Sequence, residues 1–158
     1  MFREIVRKKQ QIPTAECIEI LRTQLRGVLS VNGDDGYAYG MPMNYWYCEA
    51  DGKIYFHGGK HGHKIDAVRR DSKASFCVMD EGIRENGDWA LNFRSVIVFG
   101  RIELIEDDHR VVEISRALCT KFTDDASYIE HEVEQFGKAT LCFALVPEHI
   151  TGKRVNEK

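Results

Sequence analysis

Proline is scarce, with three residues in 158, at positions 13, 42 and 147. No Pro-, Gly- or Ser-rich linker, repeat or low-complexity tract divides the chain, which predicts a single domain over residues 1–158. Long hydrophobic runs are also missing. The longest, Leu141-Cys142-Phe143-Ala144-Leu145-Val146, is far below the about 20 residues a membrane-spanning helix needs, so no membrane association is expected. The N-terminus, Met1-Phe2-Arg3-Glu4-Ile5-Val6-Arg7-Lys8-Lys9, lacks the apolar stretch of a secretory signal. Five cysteines, at 17, 48, 77, 119 and 142, form no Cys-x-x-Cys pair. An odd, scattered set excludes a disulfide framework and points to a reducing, cytoplasmic setting. Charge of one sign is lacking too: 22 Lys and Arg face 25 Asp and Glu, a formal charge of −3. A nucleic-acid-binding domain would be strongly basic, so nucleic acid is excluded as a partner.

Hydrophobic residues at 43% and charged residues at 30% are those of a globular chain with a sizeable core. Cys17, Ile18, Leu21 and Leu25 predict a helix capped by Thr14 and ended by Gly27. Val28 to Asn32 reads as a strand and 32–36, Asn-Gly-Asp-Asp-Gly, as a hairpin connection. Tyr37 to Cys48 is aromatic-rich and extended. Asp51-Gly52 turns the chain into a strand at 53–57, a glycine loop follows at 58–62, and a short helix ends near Arg70. Strands are predicted at 74–79, at 89–105 with a bend at Gly100, and at 138–146, with helices on Val111–Phe122 and Ile129–Phe136. Six antiparallel strands with helices at intervals predict an α+β fold, mainly β, closed as a small barrel with helices over its openings.

Charge is uneven along the chain. Glu103 to Glu134 holds ten acidic and three basic residues, a solvated helical face. His57 to Lys73 holds five basic and two acidic residues and three histidines. Within it, Ile54-Tyr55-Phe56-His57-Gly58-Gly59-Lys60-His61-Gly62-His63-Lys64 runs from a strand through a glycine loop into a helix. Glycines let backbone N–H groups approach an anion, and Lys60, His63 and Lys64 add charge and donors, so the segment suits a phosphate. The competing reading is a flexible surface loop with solvated lysines. Ile65 follows Lys64 where a P-loop needs Ser or Thr, and no Gly-x-Gly-x-x-Gly is present, which excludes both nucleotide fingerprints. Glycines between His57 and His61, with no carboxylate or cysteine in the segment, argue against a metal site. Two further motifs stand out. Met41-Pro42-Met43-Asn44-Tyr45 has an interrupted ladder that leaves backbone groups free for a planar ligand. In the 94–101 strand, Arg94 and Ser95 could reach a polar site.

In this order, and with His149-Ile150-Thr151-Gly152-Lys153-Arg154 at the end, these motifs resemble the pyridoxamine 5′-phosphate oxidase-related FMN-binding proteins, and among them the nitroimidazole-resistance (Nim-type) subgroup. The resemblance runs from about Arg22 to Arg154. It implies an FMN-binding split β-barrel working as a homodimer, with flavin at the subunit interface. Pro42, Met43, Asn44 and Tyr45 match the strand beside the isoalloxazine edge, and His57 and Gly58 the strand end next to the flavin. Lys60 belongs to the phosphate loop, and His63 and Lys64 match the basic pair on the FMN phosphate. Ser95 matches a polar residue near the phosphate or ribityl end, and Lys153 with Arg154 a basic element reaching the flavin, on one reading from the partner subunit. Pyridoxal-phosphate-forming oxidases carry Arg-Lys where this chain has His63-Lys64, and end in a longer arginine-containing segment, so vitamin B6 oxidation is disfavoured. The implied activity is reduction of nitroaromatic or related small acceptors, with His57 as proton donor or as a positional contact. The rival is a non-catalytic flavin- or haem-binding or sensing module on the same barrel.

Overall fold

In this computed structural model, residues 1–155 are described, with all of their side chains except those of Phe136 and Lys138. The strands are β1 (Gln11–Ile12), β2 (Arg26–Asn32), β3 (Ala38–Asn44), β4 (Trp46–Tyr47), β5 (Ile54–Gly59), β6 (Lys73–Met79), β7 (Phe93–Ile105) and β8 (Thr140–Val155). The α-helices are α1 (Thr14–Thr23), α2 (His63–Arg70), α3 (Asp108–Cys119) and α4 (Ala126–Phe136). All strand pairs are antiparallel, in the order β3-β2-β6-β7-β8-β5-β4, with β1 added to β8.

The predicted class holds: the curled sheet is a split β-barrel with helices packed on it. Eight strands replace the expected six. One reason is Tyr45, which leaves the ladder and buries its ring completely, cutting the extended 37–48 segment into β3 and a β4 that turns to pair with β5. The other is β1, too short to show periodicity. Thr14 is the first helical residue rather than the cap; Pro13 holds that position without a side-chain bond. Gly27 belongs to β2, where a Cβ would lie 2.5 Å from the Phe76 ring, so α1 ends earlier, at Thr23. The long strand begins at Phe93 rather than Trp89, and the last runs on to Val155. The expected bend is a register shift between Phe99 and Gly100. A Cβ on Gly100 would lie 2.1 Å from the Val146 carbonyl oxygen, so only glycine lets β7 and β8 cross there.

Burial follows strand alternation. Leu29, Val31, Phe56, Phe76, Val78, Val96, Val98, Phe143 and Leu145 fill the barrel, with Cys17, Ile20 and Leu21 of α1 packed against them. On the other face of β5 and β8, Tyr55, Cys142 and Ala144 pack under Val111, Ile114 and Leu118 of α3. Among the described residues no helix is long and apolar enough to cross a membrane.

Candidate functional site

The barrel is open along one seam. Strands β3 and β5 come together there, but among the described residues no ladder joins them. α2 starts beside this seam: Gly62, at φ +112°, caps it and sends His63 and Lys64 in different directions. Consecutive helical residues diverge by about 100°, and this separates the expected phosphate-binding pair. Lys64 turns into the seam. Its Nζ lies 3.8 Å from Met43 Sδ and 4.9 Å from the centre of the Phe143 ring. A Cβ on Gly58 would lie only 2.7 Å from the same nitrogen. His63 instead stacks on Tyr39, centroids 4.2 Å apart, with Nε2 3.5 Å from Asp34 Oδ2.

Lys64 is half-buried and has no carboxylate within ion-pair range among the described residues. Burial lowers its pKa below the ordinary lysine value. An ammonium held by a thioether, a ring face and a side-chain-free stretch of strand is an electrostatic cost without a paired charge.

His57 lies one residue before Gly58 but on the α3 side of β5. It opens on a small cavity of about 70 Å³ lined also by Ser115, Cys119, Glu132, Val133, Gly137 and Thr140. Its ring is exposed by area, yet flanked by enough protein that desolvation is the main cause of a lowered pKa, with the Lys64 charge second. No local sequence pattern marks these cavity residues, which come from α3, α4, the turn after α4 and β8.

The other expected residues divide by strand face. Met43 points inward to Lys64, while Pro42 is exposed on the outer face opposite Val28. Asn44 Oδ1 accepts from Arg26 Nε at 2.8 Å. The Tyr45 ring is sealed in the core, its hydroxyl 3.5 Å from the Ile20 carbonyl oxygen, so only its backbone is left for a ligand. Lys60 lies away from Lys64, in a separate cavity of about 270 Å³ with His61, Arg69, Glu106 and Asp108. Ser95 pairs with Lys153 and Met79 on the sheet's outer face. Gly58 pairs with Leu141 at one end of β8 and Ser95 with Lys153 near the other, and Ser95 and Lys153 face outward while Lys64 turns inward to Met43 and Phe143. Within one chain, then, Ser95, Lys153 and Arg154 do not join the seam. Arg154 pairs with Glu16 at 2.8 Å. Arg94 is likewise taken up, by Asp80 at 2.8 Å with Glu16 and Glu19 nearby, and ties α1 to the sheet. Among the described residues no three His, Cys, Asp or Glu side chains are grouped as metal ligands would be.

A strand, a glycine approach and an inward lysine at the start of a short helix, set on a split barrel, agree with a family profile that covers residues 13–154, that of pyridoxamine 5′-phosphate oxidase. The chain belongs to the pyridoxamine 5′-phosphate oxidase family. Solved structures share the family fold at low identity. A candidate 5-nitroimidazole antibiotic resistance protein from Bacteroides thetaiotaomicron is 18% identical, with a TM-score of 0.74 over 91% of this chain and 86% of that one. A conserved hypothetical protein from Mycobacterium tuberculosis is 18% identical, with a TM-score of 0.80 over 95% and 90%. An FAD-binding protein from Mesorhizobium loti is 21% identical, with a TM-score of 0.66 over 93% and 98%. No curated protein matches the chain at a significant level.

Proposed function

We propose that this member of the family is a homodimeric FMN-dependent oxidoreductase acting on nitroaromatic or related small acceptors. The observation that carries the reading is the Lys64 ammonium, half-buried at the seam without an acid partner among the described residues and pressed against the space that Gly58 leaves free. A phosphate dianion suits this place: it compensates the buried charge, and the missing Cβ at Gly58 lets the ammonium lie against the strand. Lys64 is the primary phosphate contact; Met43 and the backbone of 42–45 border the flavin, and His57 stands at the strand end with its ring on the other face of β5. A flavin bound there supplies the electron-transfer chemistry, and the chain supplies its hold, its orientation and a titratable group. The terminal phosphate of FMN is favoured because the seam offers one lysine rather than a cradle for a pyrophosphate.

Dimerisation accounts for the residues left outside the seam. The outer face of β2, β6 and β7 carries Val28, Met79, Ile97 and Phe99, which are 41%, 59%, 39% and 39% exposed. Pro42, Ser95 and Lys153 are on this same face. An isologous interface here buries the apolar row and lets a second subunit bring Ser95, Lys153 and Arg154 toward the flavin.

The test is the spectrum of purified protein, release and identification of the chromophore, and stopped-flow re-oxidation of the reduced protein by a nitroimidazole. Re-oxidation faster than that of free reduced FMN supports an enzyme. Bound flavin that reacts no faster than free FMN overturns the enzymatic reading in favour of a binding module. The absence of any bound or bindable flavin overturns both.

A further inference from the structure

Lys64 and His57 stand on opposite faces of β5, one residue apart along the strand when Lys64 is placed by its contact at Gly58. Lys64 is faced by Met43 from β3, Gly58 from β5 and Phe143 from β8. His57 is faced by Ser115 and Cys119 from α3, Glu132 from α4 and Thr140 from β8, across a cavity large enough for water. Burial is the larger opposition to protonation of the imidazole, and the charge of Lys64 is the second. Whatever neutralises Lys64 therefore acts on His57.

We propose that the seam couples anion binding to proton binding, so that an anionic group held at Lys64 raises the proton affinity of His57, and a protonated His57 in turn tightens the hold on the anion. The reciprocity is a thermodynamic requirement for two sites sharing one intervening charge. The inference rests on the reading that the anion is the phosphate of a flavin. It adds that the phosphate, held across β5 from the imidazole, raises the proton affinity of His57 by cancelling the Lys64 charge, while the burial that also opposes protonation stays in place.

The experiment is an NMR titration of the His57 ring, using [13Cε1]-histidine-labelled protein and His57→Asn to identify the resonance. It is run on apoprotein, on protein saturated with FMN, on protein with riboflavin, which lacks the phosphate, and on Lys64→Met. In the apoprotein His57 is expected to titrate below the ordinary histidine value. FMN is expected to move the midpoint up by about half a pH unit or more, and Lys64→Met to move it up with no ligand present. Riboflavin is expected to leave it unchanged, and Glu132→Gln to leave the FMN response intact. An unchanged midpoint in Lys64→Met overturns the coupling, as does an equal response to FMN and riboflavin. Failure of FMN to bind overturns the flavin reading instead, and the Lys64→Met comparison still decides whether Lys64 governs His57.

Discussion

Replacing Lys64 by methionine should move stability and cofactor affinity in opposite directions. Methionine keeps an unbranched apolar stem of similar length, suited to a site bordered by Met43 and Phe143, and removes only the ammonium. In the apoprotein that ammonium is desolvated and unpaired by acid among the described residues, and its pKa is lowered from 10.5 by burial. For a lysine shifted down, the unfolded chain binds more protons than the folded one between the folded pKa and 10.5, so stability rises with pH across that window. The penalty is complete below the window and gone above it. Lys64→Met should therefore make the apoprotein more resistant to urea at pH 7, and the advantage should vanish as pH approaches 10.5. A contact from a charged lysine to a phosphate is worth about 1.5–3 kcal/mol, so FMN should bind the variant roughly 10- to 150-fold more weakly. Urea unfolding of apoprotein at pH 7 and pH 10 gives the first quantity, and flavin fluorescence titration the second. A variant that is less stable and binds FMN normally would show that Lys64 is a structural lysine, and the phosphate assignment would fall.

Two other residues give independent checks. Lys121 donates to the Gln24 carbonyl at 2.6 Å and lies 4.1 Å from the centre of the Tyr45 ring, where burial lowers its pKa to about 8. The same sign argument makes the stability of wild type relative to Lys121→Met rise between pH 8 and about 10.5, by at most about 3 kcal/mol, in paired urea titrations; a difference that is flat with pH refutes the burial of that charge. Cys142, whose thiol is pushed up to about 11 by burial, works in the opposite sense in both proteins and cancels in the comparison. Ile97, exposed in the middle of the outer sheet face, should tolerate lysine in the folded subunit. Ile97→Lys should then sediment as a monomer and bind FMN weakly, whereas an unchanged dimer places the interface elsewhere.

The local sequence was enough for the strands whose inner and outer residues alternate and for the turn at 32–36, because each depends on neighbours two or three residues apart; a glycine inside a long strand also marked the irregular point at Gly100, although the contact that requires it, with Val146, is distant in sequence. It was also enough to single out the 54–64 segment, where strand, glycines and lysines are contiguous. The run 141–146 is apolar throughout because both faces of β8 are covered, one by the barrel interior and one by α3; in sequence, that reads only as a buried strand. What the local pattern does not contain is direction around a helix start and distance across a sheet. His63 and Lys64 are adjacent in sequence but point to different neighbours, Tyr39 and Met43. Likewise, Ser95 and Lys153 pair with each other on the outer face of the sheet, while Lys64 turns to the inner one. The Lys121 contact with Gln24 and the cavity around His57 join segments about 60 to 100 residues apart. Such contacts depend on how the sheet curls and where α3 and α4 settle on it, so only the tertiary structure decided which lysine turns into the seam and which imidazole stands across β5 from it.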